Sequence, residues 1–88
     1  MKTAFKKSFL KSIKRYQSER LKKALQSCIL EIEVAATLSE IKNLKKLKGY
    51  TDYFRIRVGD YRIGLALKED TVFFVILDHR KEFYKYFP

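Results

Sequence analysis

The spacing of apolar residues changes once along this 88-residue chain, and the change falls at Gly49. Before Gly49, apolar residues recur every three or four positions, as on one face of a helix. After it they alternate with polar residues, as along a β-strand. The sequence therefore predicts an α+β domain in which helices pack on one face of a small, mostly antiparallel sheet. No repeat or linker interrupts the pattern, so we expect residues 1–88 to form one domain.

Two amphipathic helices are predicted before Gly49. The first begins at Ser8 and carries the apolar stripe Phe9, Leu10, Ile13 and Tyr16. The second follows Gln17-Ser18, and its apolar face runs from Leu21 through Cys28 to Ala36. Helices joined by so short a turn favour an antiparallel hairpin. A short strand is predicted at 3–5, and residues 37–49 are expected to hold a helical turn and an extended segment.

Three strands are predicted after Gly49, at 53–58, 61–67 and 71–78. They are joined by Gly59-Asp60 and by Lys68-Glu69-Asp70, both typical of hairpin turns. The third strand is apolar on both sides, which indicates an interior position in the sheet. The strand at 3–5, the two helices and these three strands give the predicted order β-α-α-β-β-β. Residues 80–87 are expected to add a final helical turn.

Arginines are expected to cluster on one face of the predicted sheet. Alternation places Arg55 and Arg57 on the same face of their strand. A two-residue turn then sets Arg57 opposite Arg62 and Arg55 opposite Gly64. Like charges directly opposed across strands are destabilising, so a bound polyanion would explain the arrangement. A solvated charged face is the alternative interpretation.

Charge and composition exclude several classes of function. Twenty basic and ten acidic residues give a net charge of +10, which favours anionic partners such as nucleic acid or an acidic protein. One cysteine and one histidine exclude an intrachain disulfide and leave too few ligands for a transition-metal site. The longest apolar run, from Val72 to Leu77, is too short to span a membrane. With no signal-peptide pattern evident, we expect a cytoplasmic protein with no cofactor and no membrane partner.

His79 is the best candidate for acid–base chemistry on a phosphate ester, and Tyr84 is the second. An end-of-strand position could bring His79 and Arg80 beside the arginine face, and an imidazole accepts protons near neutral pH. The alternative for a lone histidine is an ordinary surface position. Cys28 lies within an apolar stripe, so we expect it in the core.

Three segments resemble the RelE/ParE superfamily, the small basic toxins of type II toxin–antitoxin systems. They are Lys46-Leu47-Lys48-Gly49, the hairpin 53–63 with its sequence YFRIRVGDYRI, and 79–84 with its sequence HRKEFY. The resemblance covers nearly the whole chain and implies a helical hairpin on a sheet whose active face is basic and concave. RelE-like members cut mRNA in the ribosomal A site without a metal, through attack of the ribose 2′-hydroxyl on its own 3′-phosphate. ParE-like members instead inhibit DNA gyrase and are not nucleases.

The resemblance also assigns roles to individual residues. It implies transition-state stabilisation by Arg62, and base stacking or proton transfer by Tyr84. The full predicted catalytic set is Arg57, Arg62, His79 and Tyr84, and the predicted RNA- or phosphate-binding set is Lys48, Arg55, Arg57, Arg80 and Lys81. No metal ligands are predicted.

The nuclease branch is favoured because His79 and Tyr84 are present. A gyrase inhibitor and a non-catalytic RNA-binding relative remain as alternatives. The expected partners are a cognate antitoxin and either mRNA on the ribosome or, for the alternative, DNA gyrase.

Overall fold

The computed structural model describes residues 1–88 and is built around a five-stranded sheet. The strands are β1 (Lys2–Phe5), β2 (Leu44–Lys46), β3 (Tyr53–Val58), β4 (Tyr61–Lys68) and β5 (Thr71–His79). They lie in the order β1-β5-β4-β3-β2, with β1 parallel to β5 and every other pair antiparallel. The mostly antiparallel sheet and the interior position of β5 are thus confirmed. Strand β2 extends the predicted order, because the expected extended segment pairs with β3.

Two helices, α1 (Lys7–Arg15) and α2 (Glu19–Val34), cover one face of the sheet. Helix α1 packs along β5, and α2 contacts β1 and β3. Ser18 caps α2, since its side-chain oxygen accepts a hydrogen bond from the Leu21 N–H at 3.2 Å. The predicted helical hairpin is confirmed, but two members of its apolar stripes are exposed. Leu10 is half exposed, and α2 ends before Ala36, which is also exposed.

The main core lies between these helices and the sheet. Its buried residues come from α1, α2, the segment after α2, and strands β3, β4 and β5. They are Phe9, Leu21, Leu25, Ile32, Ala35, Leu38, Ile41, Ile56, Ile63, Leu65, Val72, Phe74 and Leu77. Cys28 packs against this cluster, as expected. No helix has the length and apolar content that crossing a membrane would require.

Hydroxyl groups of α1 take the place of a strand beside the second half of β5. Pairing with β1 stops at Phe74. Beyond it, the Ser8 hydroxyl donates to the Val75 carbonyl, and the Leu77 N–H donates to the Ser12 Oγ at 2.9 Å. These bonds satisfy backbone groups that would otherwise be unpaired. They also hold the end of β5, which carries His79, against α1.

A short third helix, α3 (Phe83–Tyr86), packs on the opposite face of the sheet. Phe83 and Phe87 are buried, and their ring centroids are 5.2 Å apart. A Cβ placed on Gly64 would lie 2.7 Å from two ring atoms of Phe87, so only glycine accommodates this ring in its present position. The expected final helical turn is therefore present, and Phe87 fills the space that the small residue on β4 leaves.

Candidate functional site

Three arginines form a row on the open face of the sheet. Arg57 lies opposite Arg62, and Arg55 lies opposite Gly64, which is the predicted register. The Gly59-Asp60 turn fixes this register, because a two-residue hairpin leaves no freedom to shift one strand against the other. We refer to Arg55, Arg57 and Arg62 as the arginine row.

No carboxylate neutralises the arginine row. Arg62 Nη1 donates to the carbonyl oxygens of Gly59 and Tyr61, both at 2.9 Å, and Arg55 Nη1 donates to the Asn43 carbonyl at 3.2 Å. None of the four ion pairs in the protein includes a member of the row. Carbonyl groups therefore orient two of the guanidinium groups while the positive charge stays available to an external anion.

The pKa of Arg62 reflects its burial and the nearby arginine charges. Burial lowers the pKa of its guanidinium group, and the charges of Arg57 and Arg55 lower it further. Arginine nevertheless stays protonated in proteins, so the consequence is a concentrated positive field. An anion such as a phosphate would relieve the repulsion at this position.

A basic groove runs beside the arginine row, between β2 and α3. It has a volume of about 370 Å³ and is lined by Lys45, Lys46, Leu47, Lys48, Arg55 and Tyr84. Three predicted site residues, Lys48, Arg55 and Tyr84, therefore meet here. The Tyr84 side chain is 58% exposed, and it lies close enough to Arg62 to raise the pKa of that guanidinium group. The groove and the row together make a continuous surface for a polyanion.

Lys45 and Lys46 belong to this surface and were missed at the level of sequence. Lys45 pairs with Arg55 across the β2–β3 ladder. The signal was the cluster of lysines before Gly49, but without strand β2 no register placed Lys45 beside Arg55.

Arg80 lies at the margin of the surface. Its backbone N–H donates to the Asp60 carbonyl at 2.8 Å, and its guanidinium group pairs with the Asp60 carboxylate at 3.9 Å. Its charge is among those that lower the pKa of Arg62. Lys81 is exposed in the following turn, where its backbone N–H donates to His79 Nδ1 at 3.2 Å, and its side chain does not line the groove.

His79 is not brought to the arginine row. It lies opposite Tyr61, and the two rings meet edge to face with centroids 5.5 Å apart. Tyr61 itself packs against the main core and against Tyr16, the residue that follows α1, on the helix-covered side. The cause is a β-bulge at Val75: Leu65 pairs with Phe74 and Gly64 with Ile76, so the alternation of β5 reverses after this residue. The expectation that His79 joins the arginine face does not match this geometry.

Comparisons with known proteins agree with this fold. The family described as ParE toxin of type II toxin-antitoxin system, parDE, matches residues 3–84. The chain is 42% identical over 89 residues to Toxin RelE3 of Methanocaldococcus jannaschii, covering 100% of both chains. The protein is thus a toxin of the type II toxin–antitoxin class. More specifically, the chain belongs to the RelE/ParE superfamily, and its full-length similarity to RelE3 makes it RelE-like.

Solved structures give the same result at the level of the fold. The toxin–antitoxin complex RelB-RelE from Methanococcus jannaschii contains a chain that matches with a TM-score of 0.82 and 39% identity, covering 96% of this protein and 98% of that chain. YafQ from E. coli matches with a TM-score of 0.64 over 93% of this protein and 96% of that chain. At 15% identity, the second match supports the shared fold alone.

Proposed function

We propose that this toxin is a ribosome-dependent mRNA endonuclease whose arginine row stabilises the charge that develops on the scissile phosphate. The observation that carries the proposal is the set of three guanidinium groups with no carboxylate partner, beside a basic groove. Similarity to Toxin RelE3 over the full length supports the same activity.

The reaction is a transesterification within the RNA. The ribose 2′-oxygen forms a bond to the phosphorus of its own 3′-phosphate, and the bond from phosphorus to the 5′-oxygen of the next nucleotide breaks. The products are a cyclic phosphate and a free 5′-hydroxyl. Negative charge rises on the non-bridging oxygens in the transition state, where fixed positive groups contribute most. Arg62 and Arg57 serve this purpose because they face each other on adjacent strands.

One proton must pass from the 2′-hydroxyl to the departing 5′-oxygen. Tyr84 is exposed beside the arginine row and carries a hydroxyl that can donate and accept a proton. We assign the proton transfer to this group, with its ring stacking on an adjacent base. His79 has no role in the scheme, since it lies against Tyr61 on the other side of the sheet.

The remaining basic residues hold the RNA backbone. Arg55 and Lys48 line the groove, and Arg80 lies near Arg62 at the margin of the basic surface. Each contact to a phosphate displaces a counterion, so binding should weaken steeply with salt. Lys81 follows Arg80, is exposed, and serves as an outlying contact to the RNA backbone.

A cognate antitoxin is the second partner that we propose. The supporting observation is the similarity to a toxin solved as a RelB-RelE complex. A net charge of +10 favours an antitoxin segment that is acidic.

The test is a reconstituted translation reaction with a defined mRNA. We expect cleavage of ribosome-bound mRNA, products ending in a cyclic phosphate, and no cleavage of the same RNA without ribosomes. Arg62→Ala should abolish the activity, while Lys14→Ala, which alters an exposed lysine on α1, should not. Inhibition of DNA supercoiling with intact mRNA would instead establish the gyrase alternative. RNA binding without cleavage or growth arrest would establish the non-catalytic one.

A further inference from the structure

A line of aromatic rings crosses the open face of the sheet, from the arginine row to the loop between β2 and β3. It begins with Phe87, which covers Gly64 opposite Arg55. The ring centroids of Phe87 and Tyr53 are 5.6 Å apart, and those of Tyr53 and Tyr50 are also 5.6 Å apart. Both contacts are edge to face, at 85° and 77°. The line therefore ends at Tyr50.

Tyr50 is fixed in place and yet open to solvent. Its backbone N–H donates to the Leu47 carbonyl at 3.2 Å, and the Leu47 N–H donates to the Tyr53 carbonyl at 2.8 Å. Gly49 adopts a φ of +85°, a conformation that suits glycine and makes this tight loop possible. The Tyr50 side chain is 47% exposed. Because its backbone is hydrogen-bonded and its ring packs against Tyr53, Tyr50 loses little conformational freedom when a ligand packs on it.

The surroundings of Tyr50 are strongly cationic. Residues 41–59 contain four lysines and two arginines but a single acidic residue, Asp52. The basic groove begins at the same loop, since Leu47 and Lys48 line it. An exposed aromatic ring beside a positively charged groove is the combination with which proteins bind single-stranded nucleic acids.

We propose that Tyr50 stacks on a base of single-stranded RNA, in a subsite distinct from the nucleotide whose phosphate contacts the arginine row. This inference rests on the proposed function and names a contact that the reaction itself does not require. Every base presents an aromatic face, so the subsite contributes affinity without sequence preference. Loss of the ring should weaken binding by about 5- to 150-fold, the range found for base–aromatic stacking.

An anisotropy titration at fixed salt tests the proposal. The probes are a fluorescein-labelled uridylate oligonucleotide with 2′-O-methyl riboses, which cannot be cleaved, and an abasic strand of equal length and charge. We expect the wild-type protein to bind the strand with bases more tightly. Tyr50→Ala should reduce this difference by about 5- to 150-fold, with the part that Tyr84 contributes remaining, and should leave the affinity for the abasic strand unchanged. Tyr50→Phe should behave like the wild type. Tyr86→Ala removes another exposed tyrosine, outside the groove, and should keep the difference.

The outcomes separate this inference from the proposed function. If the wild type cleaves ribosome-bound mRNA but Tyr50→Ala keeps the full difference between the two strands, the stacking subsite is refuted and the nuclease stands. If Tyr50→Ala weakens only the complex with the antitoxin, the ring belongs to a protein interface and the subsite is refuted as well. If the wild type cleaves no mRNA, the proposed function fails whatever the titration gives. Thermal melting of each variant confirms that it is folded.

Discussion

Gly64→Ala is expected to destabilise the protein in one background and to stabilise it in another. In the wild type, the new methyl group would lie 2.7 Å from the Phe87 ring, well inside van der Waals contact. The ring must move, and it is only 4% exposed in a packed position against Phe83. Overpacking of this kind costs about 1–3 kcal/mol. For a domain of this size, that lowers the melting temperature by roughly 4–8 °C for each kcal/mol.

The second background is Phe87→Ala, in which nothing opposes the methyl group. Glycine within a strand is less favourable than alanine by about 0.5–1 kcal/mol, because it loses more conformational freedom on folding. Gly64 lies in the middle of β4 and its φ is not positive, so alanine fits the backbone. Gly64→Ala should therefore raise the stability of the Phe87→Ala protein by about that amount.

Urea denaturation of the four proteins, followed by circular dichroism, measures both effects. A double-mutant cycle gives the interaction between positions 64 and 87 directly. We expect Gly64→Ala to change sign between the two backgrounds. If it has the same effect in both, the contact between Phe87 and β4 does not hold α3 on the sheet, and the description of this face is wrong.

Three further variants test separate parts of the account. Arg57→Ala should slow cleavage but stabilise the free protein by a few tenths of a kcal/mol to about 1 kcal/mol, because it removes the repulsion with Arg62. Cleavage rates and urea denaturation measure the two effects. A loss of stability in Arg57→Ala would contradict the predicted repulsion. His79→Ala should leave the cleavage rate within severalfold of the wild type, since its ring lies against Tyr61, and a loss of more than 100-fold would overturn this placement. Tyr16→Phe should make the melting temperature less sensitive to alkaline pH. Burial and the hydrogen bond to Asp78 raise the pKa of Tyr16 above its ordinary value near 10, so the neutral Tyr16 hydroxyl stabilises the folded state. This stabilisation is complete below pH 10 and disappears as the pH rises through the raised pKa. An equally steep alkaline decline in Tyr16→Phe would show that another group is responsible.

The arginine row was predictable because its determinants are local. Alternation along β3 and a two-residue turn at Gly59-Asp60 are enough to place Arg57 opposite Arg62. The helices were predictable for a similar reason, since an apolar stripe repeats through several turns.

Other features depend on contacts between distant segments and were not predictable. The bulge at Val75 reverses the alternation of β5 and carries His79 to the helix side, and no residue pattern in the strand marks it. Phe87 packs on Gly64, more than twenty positions away, so the small residue alone indicated only an open space. Strand β2 has three residues, too few for a periodicity to appear.

The rate of a single round of mRNA cleavage on the ribosome, compared between the wild type and Arg62→Ala, tests the central claim most directly. Arg62 is held toward the open face by carbonyl groups of Gly59 and Tyr61 and has no carboxylate partner. Removing one oriented charge-stabilising donor costs about 100- to 1,000-fold in rate. We expect a loss of at least this size with ribosome binding retained, and Lys14→Ala should cleave at the wild-type rate. Equal rates for Arg62→Ala and the wild type would contradict the claim that the arginine row stabilises the transition state.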